Sequence, residues 1–195
     1  MKTIGILLFD GFEELDAVGP WEVLSFWARR FPDDGWRVTA LSRDGTPVRA
    51  AKGLVVHPEY SYETSPPLDV LIYPGGRGTR AHLDDEGQLD WVRRQRAQVP
   101  LMASVCTGSL VYARAGLLAG RPATTHWGSL DLLRELDPTL TARPDDRFVD
   151  DGDMVTSAGV SAGIDMALHL VVRLQDVERA RQVRRGIQYD PRPPI

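Results

Sequence analysis

One side chain in this chain can act as a soft nucleophile. Cys106 is the only cysteine, and it ends an apolar run, Leu101 to Val105, that opens after Pro100. The sequence then turns small and polar at once, Thr107-Gly108-Ser109, before Leu110 to Ala115 resumes an apolar pattern. A strand that turns sharply into a helix would put Cys106 in the corner as a nucleophile elbow. Its thiol would be lifted clear of the sheet, with neighbouring N–H groups free to hold an anion. Ser104 and Gly108, two positions to either side, are small enough for such a turn. A helix N-terminus would also stabilise the thiolate. A lone cysteine is more often a small buried hydrophobe; the local context points instead to catalysis.

Two further stretches could converge on that corner. Pro74-Gly75-Gly76 follows an apolar run, and paired glycines let a backbone approach a ligand with N–H groups exposed. If the N–H groups of Gly76 and Thr107 face one point, they make an oxyanion hole beside Cys106. Near the start, Glu13, Glu14 and Asp16 suit the positive end of a helix. Asp16 differs from the other two because Leu15, Ala17 and Val18 surround it. A carboxyl drawn inside has a raised pKa, and can pass a proton to and from a neighbouring thiol. His57, His82, His126 and His169 show no metal-ligand spacing, so no metal is expected. His126, beside Trp127, is the one histidine placed to reach the site, although a structural role is the simpler reading for it. His169, in an apolar stretch, reads as core. The arginines from 179 to 185 read as a solvated helix face.

The elements that must position these residues alternate. Thr3–Phe9, Trp36–Ser42, Leu68–Tyr73 and Leu101–Val105 read as strands buried on both faces. A helix interrupted near Gly19-Pro20 follows the first. Residues 47–51 and 54–57 suit a small hairpin around Lys52-Gly53. A helix around Leu89, Trp91 and Val92 stops near Pro100, and residues 123–127 suit a short strand end. Residues 128–136 look helical, and 147–157 contain two β-like pieces around Asp151-Gly152-Asp153. An apolar helix over 164–174 and a polar one over 176–185 precede a proline-rich end. Such alternation implies an α/β fold on a mostly parallel sheet. Ligands in such folds sit beyond the carboxyl ends of the strands, where residues 10–16, 74–76 and 106–108 would all lie.

The bulk numbers set limits. The chain has 195 residues, read as one domain over 1–195, and a net charge of −4, which offers no global basic field to nucleic acid or anionic membranes. A single cysteine excludes an internal disulfide framework and fits a reducing cytoplasm. No signal peptide is visible, and no run nears the apolar length that spans a bilayer.

Five ordered motifs carry a resemblance across essentially the whole chain: Phe9-Asp-Gly-Phe-Glu-Glu-Leu-Asp16 with Gly19-Pro-Trp-Glu22, Tyr73-Pro-Gly-Gly76, Ser104-Val-Cys-Thr-Gly108, Thr125-His-Trp127, and Gly159-Val-Ser-Ala-Gly-Ile-Asp165. Together they resemble the ThiJ/PfpI superfamily, with its class I glutamine amidotransferase-like, flavodoxin-like three-layer sandwich. Leu15-Asp16 and Cys106-Thr107-Gly108 look most like the isonitrile hydratase branch, whose members hydrate R–N≡C to N-substituted formamides. The resemblance implies Cys106 as nucleophile, Asp16 as its acid/base partner and Thr107 as a further site residue. It also implies an anion position formed by the Gly76 and Thr107 N–H groups. Gly75, His126 and Trp127 are candidate pocket residues. No cofactor is needed, the substrate is a small molecule, and the superfamily's homodimer is expected here. The protease branch carries His after the cysteine, where this chain has Thr107. Glyoxalase- and deglycase-like members carry Glu where this chain has Asp16. AraC-type regulators add a C-terminal helix-turn-helix region for which this chain leaves no room. Dicarbonyl chemistry, or a non-enzymatic redox or ligand sensor using the same thiol, are the competing functions.

Overall fold

The structure is a computed structural model and describes residues 1–192; the last of the proline-rich end, residues 193–195, lies outside the described residues. Among the described residues, eleven strands and seven helices follow in order. They are β1 Lys2–Leu7, α1 Glu14–Arg30, β2 Trp36–Ser42, β3 Val48–Arg49, β4 Val55–Val56, β5 Tyr60–Ser61 and β6 Val70–Tyr73. Next come α2 Thr79–His82, α3 Glu86–Gln98, β7 Leu101–Val105, α4 Gly108–Arg114, β8 Pro122–Ala123 and α5 Leu130–Leu136. The chain continues with β9 Thr141–Ala142, β10 Phe148–Asp150, β11 Met154–Ser157, α6 Ala162–Leu174 and α7 Val177–Gly186.

The main sheet has the order β10-β11-β7-β6-β1-β2-β5, and only β10 runs antiparallel to its neighbour. Every residue of β6, β7 and β11 is buried, as strands covered on both faces must be. Helices α1, α6 and α7 pack together on one face, and α2 to α5 on the other. The registers Ile6↔Ile72 and Tyr73↔Ser104 bring the carboxyl ends of β1, β6 and β7 side by side. The loops after those three strands are the ones the sequence analysis singled out.

The small hairpin forms between β3 and β4, and β10 pairs with β11 around Asp151-Gly152-Asp153. Three expectations need correction. The first helix is not interrupted: Pro20 lies inside α1. Its ring forfeits one backbone hydrogen bond, but Gly19 and Pro20 face Ile164 and Gly163 of α6, where small residues allow close approach. Packing against α6 keeps the helix continuous. The strand expected over 123–127 stops at Ala123. His169 is not a core residue: it is half-buried, 2.6 Å from Asp150 Oδ2, with its ring stacked on Phe148. A hydrogen-bonding carboxylate partner explains why an imidazole sits in an otherwise apolar helix. Among the described residues no helix is long and apolar enough to cross a membrane.

Candidate active site

Cys106 lies between the end of β7 and the start of α4, with a φ of 56°. A non-glycine residue in the left-handed region is strained by roughly 1–3 kcal/mol, and persists only where surroundings over-determine it. They do here. The Cys106 N–H donates to the Ser157 and Ala158 carbonyls at 3.1 and 3.2 Å. Its carbonyl accepts from Thr125 Oγ1 at 2.9 Å and from Ser109 Oγ at 3.1 Å. The corner is held from β11, from the segment after β8, and from α4.

Asp16 is fully buried in the first turn of α1. Its Oδ2 accepts the Gly75 N–H at 2.9 Å, while its Oδ1 has no hydrogen-bond partner. The Cys106 thiol lies against this carboxyl, and each group shifts the titration of the other. Burial pushes the Asp16 carboxyl up to about 7, against the pull of the Gly75 N–H and the thiol. Burial, and then the negative charge of Asp16, push the thiol up to about 12, against the pull of the Thr107 and Val160 N–H groups. The expected stabilisation of a thiolate by the helix end is therefore outweighed: at rest the thiol keeps its proton. Two groups this close titrate as a pair, and the first proton to leave, near neutral pH, belongs to both. The singly ionised pair can place its charge on oxygen or on sulfur.

Gly75 must be glycine because a Cβ there would meet Thr107 N at 2.5 Å and Asp16 Oδ2 at 2.8 Å. The closeness of these atoms shows how tightly the three loops converge. Gly76 meets Thr107 through its backbone. Its N–H donates to Thr107 Oγ1 at 2.9 Å, so it is already engaged. The backbone N–H groups that favour a charge on sulfur are those of Thr107 and Val160. Val160 has a φ of 50°, the second strained non-glycine residue at this site. Sequence reasoning missed it; the only hint was the small-residue run Ala158-Gly-Val-Ser-Ala-Gly163. It also missed Thr79, which is fully buried with its Oγ1 3.2 Å from Thr107 Oγ1.

His126 is engaged with Gly128 and Gly159. Its Nδ1 accepts the Gly128 N–H at 3.1 Å, and its ring lies on Gly159, where a Cβ would clash with it. It therefore buttresses the segment that carries Val160. Trp127 stands 79% exposed beside it. Among the described residues no group of three His, Cys, Asp or Glu side chains could hold a metal ion.

Comparison with known proteins gives a consistent picture. An isonitrile hydratase of Pseudomonas putida is 44% identical over 193 residues, which are 98% of this chain and 80% of that protein. The transcriptional regulator CdhR of Pseudomonas aeruginosa is 35% identical over 178 residues, 91% of this chain and 52% of the regulator, so the chain spans about half of that relative. The crystal structure of a ThiJ/PfpI family protein from Pseudomonas syringae superposes with a TM-score of 0.88 at 32% identity, covering 100% of this chain and 77% of that one. The DJ-1/PfpI family model matches residues 2–173, so this chain belongs to the DJ-1/PfpI family.

Proposed function

We propose that this chain is a cysteine-dependent hydratase that converts a small isonitrile to its N-substituted formamide. The observation that carries the reading is the pairing of Cys106, strained at the corner, with a buried carboxyl whose Oδ1 has no partner. The 44% identity to an isonitrile hydratase supports the same reaction class.

The chemistry balances on this chain's own groups. Asp16 takes the thiol proton, and sulfur attacks the terminal carbon of R–N≡C. Asp16 returns that proton to the same carbon, which gives the thioimidate Cys–S–CH=N–R. Asp16 then takes a proton from water as the oxygen adds to this carbon, and passes it to the nitrogen. The C–S bond breaks, H–CO–NH–R leaves, and the hydroxyl proton of the adduct goes to sulfur. No step calls for a metal or an organic cofactor. Thr107 and Val160 N–H groups, which favour charge on sulfur, support the step in which sulfur becomes anionic.

A non-enzymatic redox or ligand sensor using the same thiol is the competing reading, marked by selective Cys106 oxidation in mild peroxide without turnover. Asp16, shorter by one methylene than the Glu of dicarbonyl-acting members, argues for the hydratase over that chemistry. We read the protein as a cytoplasmic homodimer of one domain over residues 1–195 that binds no nucleic acid. Exposed Val18 of α1, with Leu54 and Val55 on the β3–β4 hairpin, supports a contact between copies. The test is formation of N-cyclohexylformamide from cyclohexyl isocyanide. Loss of product in Cys106→Ser supports the reading. No product from the wild type, with turnover of α-oxoaldehydes instead, overturns it.

A further inference from the structure

Thr107 does not meet the thiol alone. Its hydroxyl belongs to a chain that starts at the surface. Arg80 of α2 donates through one guanidinium nitrogen to Thr79 Oγ1 at 3.0 Å, and through another to Ser129 Oγ at 3.3 Å. Thr79 Oγ1 is 2.7 Å from the Gly76 carbonyl and 3.2 Å from Thr107 Oγ1. Thr107 Oγ1 accepts the Gly76 N–H at 2.9 Å.

The proton count of this chain decides what Thr107 can offer. A hydroxyl has one proton and two lone pairs. The cationic donor on Thr79 makes its oxygen a poorer acceptor for a second bond and its O–H a stronger donor. The Thr79 proton therefore goes outward, to the Gly76 carbonyl or to Thr107 Oγ1. The Thr107 proton is not drawn back toward Thr79. The remaining acceptor near it, the Gly76 carbonyl, is 3.3 Å away and already held by Thr79 at 2.7 Å. Thr107 is left with one long donor contact, at 3.3 Å to that shared carbonyl, which a closer acceptor can replace; its hydroxyl and Asp16 Oδ2 both lie against Gly75.

We propose that Arg80 and Thr79 are positioning residues that set Thr107 as a hydrogen-bond donor to whatever molecule lies against Cys106. For the hydration reaction, on which this inference rests for its substrate, that molecule is the isonitrile adduct or the attacking water. Arg80 also ties this setting to Ser129, just beyond His126 and Trp127, so the rim of the site and the Thr107 hydroxyl share one anchor.

The test is a double-mutant cycle. Thr79→Val should lower kcat by about 10-fold or more with KM changed by less than about 3-fold, the signature of an interaction that strengthens after binding. Thr79→Ser should restore most of the rate. Arg80→Ala, at an exposed position that does not endanger folding, should lower kcat by about 3-fold, the size of a weak hydrogen bond. In a Thr107→Val background, Thr79→Val and Arg80→Ala should have no further effect. Additive losses, or an unchanged kcat in both single variants, would overturn the proposal. The same cycle is run on alkylation of Cys106 by iodoacetamide, whose carbonyl oxygen accepts a hydrogen bond. If the wild type makes no formamide, the hydratase reading fails and the alkylation cycle decides this inference alone. A slower rate in Thr79→Val that vanishes in the Thr107→Val background supports it, and equal rates in all variants overturn it.

Discussion

The Tyr73 hydroxyl, at the end of β6, joins a network in which Gln88, His82, Tyr62 and Arg43 all have partners. The Tyr73 hydroxyl accepts from Gln88 Nε2 at 3.0 Å and lies 2.6 Å from His82 Nδ1. Gln88 Oε1 accepts from Tyr62 at 2.9 Å and from Arg43 at 3.0 Å. Arg43 is anchored in turn by Asp85 at 2.5 Å. Burial pushes His82 down to about 4, so its ring is neutral and Nδ1 accepts the tyrosine proton. Two residues further along, around Gly75, the pattern reverses. Asp16 is more deeply buried than His82, yet Oδ1 has no hydrogen-bond partner, and burial with the Asp16 charge pushes the nearby thiol up. A saturated buried network stabilises a fold; an unsaturated one costs stability and persists where a ligand or a reaction completes it. The contrast lies in hydrogen-bond completeness, since both clusters are buried and both perturb titration.

Four changes would break or sharpen that contrast. Replacing Cys106 by Ser should abolish isonitrile hydration, by at least about 10³-fold, as losing a nucleophile does; mass spectrometry of the wild type under turnover should catch the added substrate mass on Cys106. Asp16→Asn should lower kcat by about 10²- to 10³-fold, the range of a lost acid/base group. Wild-type kcat/KM should rise with pH up to about 7 and then level, because the active form is the singly ionised pair; that inflection should vanish in Asp16→Asn. Thr107→Val should cost about 10-fold or more in kcat, through loss of a donor near the reacting atoms. Tyr73→Phe should behave oppositely. It orphans Gln88 Nε2 and His82 Nδ1 and should cost about 1–3 kcal/mol of stability by denaturant titration, while kcat of the folded protein stays within about 2-fold. Loss of activity there without loss of stability would erase the distinction between the clusters.

Stability against pH separates the two clusters by sign. Asp16 is raised in the folded state, from an ordinary 3.8 to about 7. The folded chain then holds more protons between those values, and this group's contribution declines as pH rises through them. His82 is lowered from 6.5 to about 4, so its contribution declines as pH falls from 6.5 to 4. At 1.36 kcal/mol per unit, the Asp16 effect is at most about 4 kcal/mol and the His82 effect at most about 3 kcal/mol. Asp16→Asn should therefore gain stability relative to wild type as pH is raised from 4 to 7. A constant difference across that range would show that Asp16 does not titrate near neutrality.

Much of this was legible in the residues. Continuous apolar runs at β1, β6 and β7 announce strands covered on both faces, because no exposed face could tolerate them. Cys106 after such a run and before Thr107-Gly108 announces a corner, because only small residues let the chain turn there. Asp16 among Leu15, Ala17 and Val18 announces a carboxyl carried inside by its helix. Pro20 misled, because its local cost is fixed by covalent structure while the compensation comes from α6, which is remote in sequence. His169 misled likewise, since Asp150 and Phe148 reach it only when the β10–β11 hairpin docks on α6.

The amino-acid sequence by itself determined which loops would meet: parallel pairing of three buried strands leaves their following residues no other place to go. It determined too that the meeting point would hold one thiol and one carboxyl. Hydrogen-bond partners were decided only in three dimensions. Gly76 N–H is spent on Thr107 Oγ1, and the N–H of Val160, in the loop after β11, is one of the two that favour charge on sulfur. The protonation of the thiol was settled there as well. Sequence reveals a helix N-terminus, which favours the thiolate; burial and the adjacent Asp16 charge, which oppose it more strongly, exist only after the chain has closed over the site.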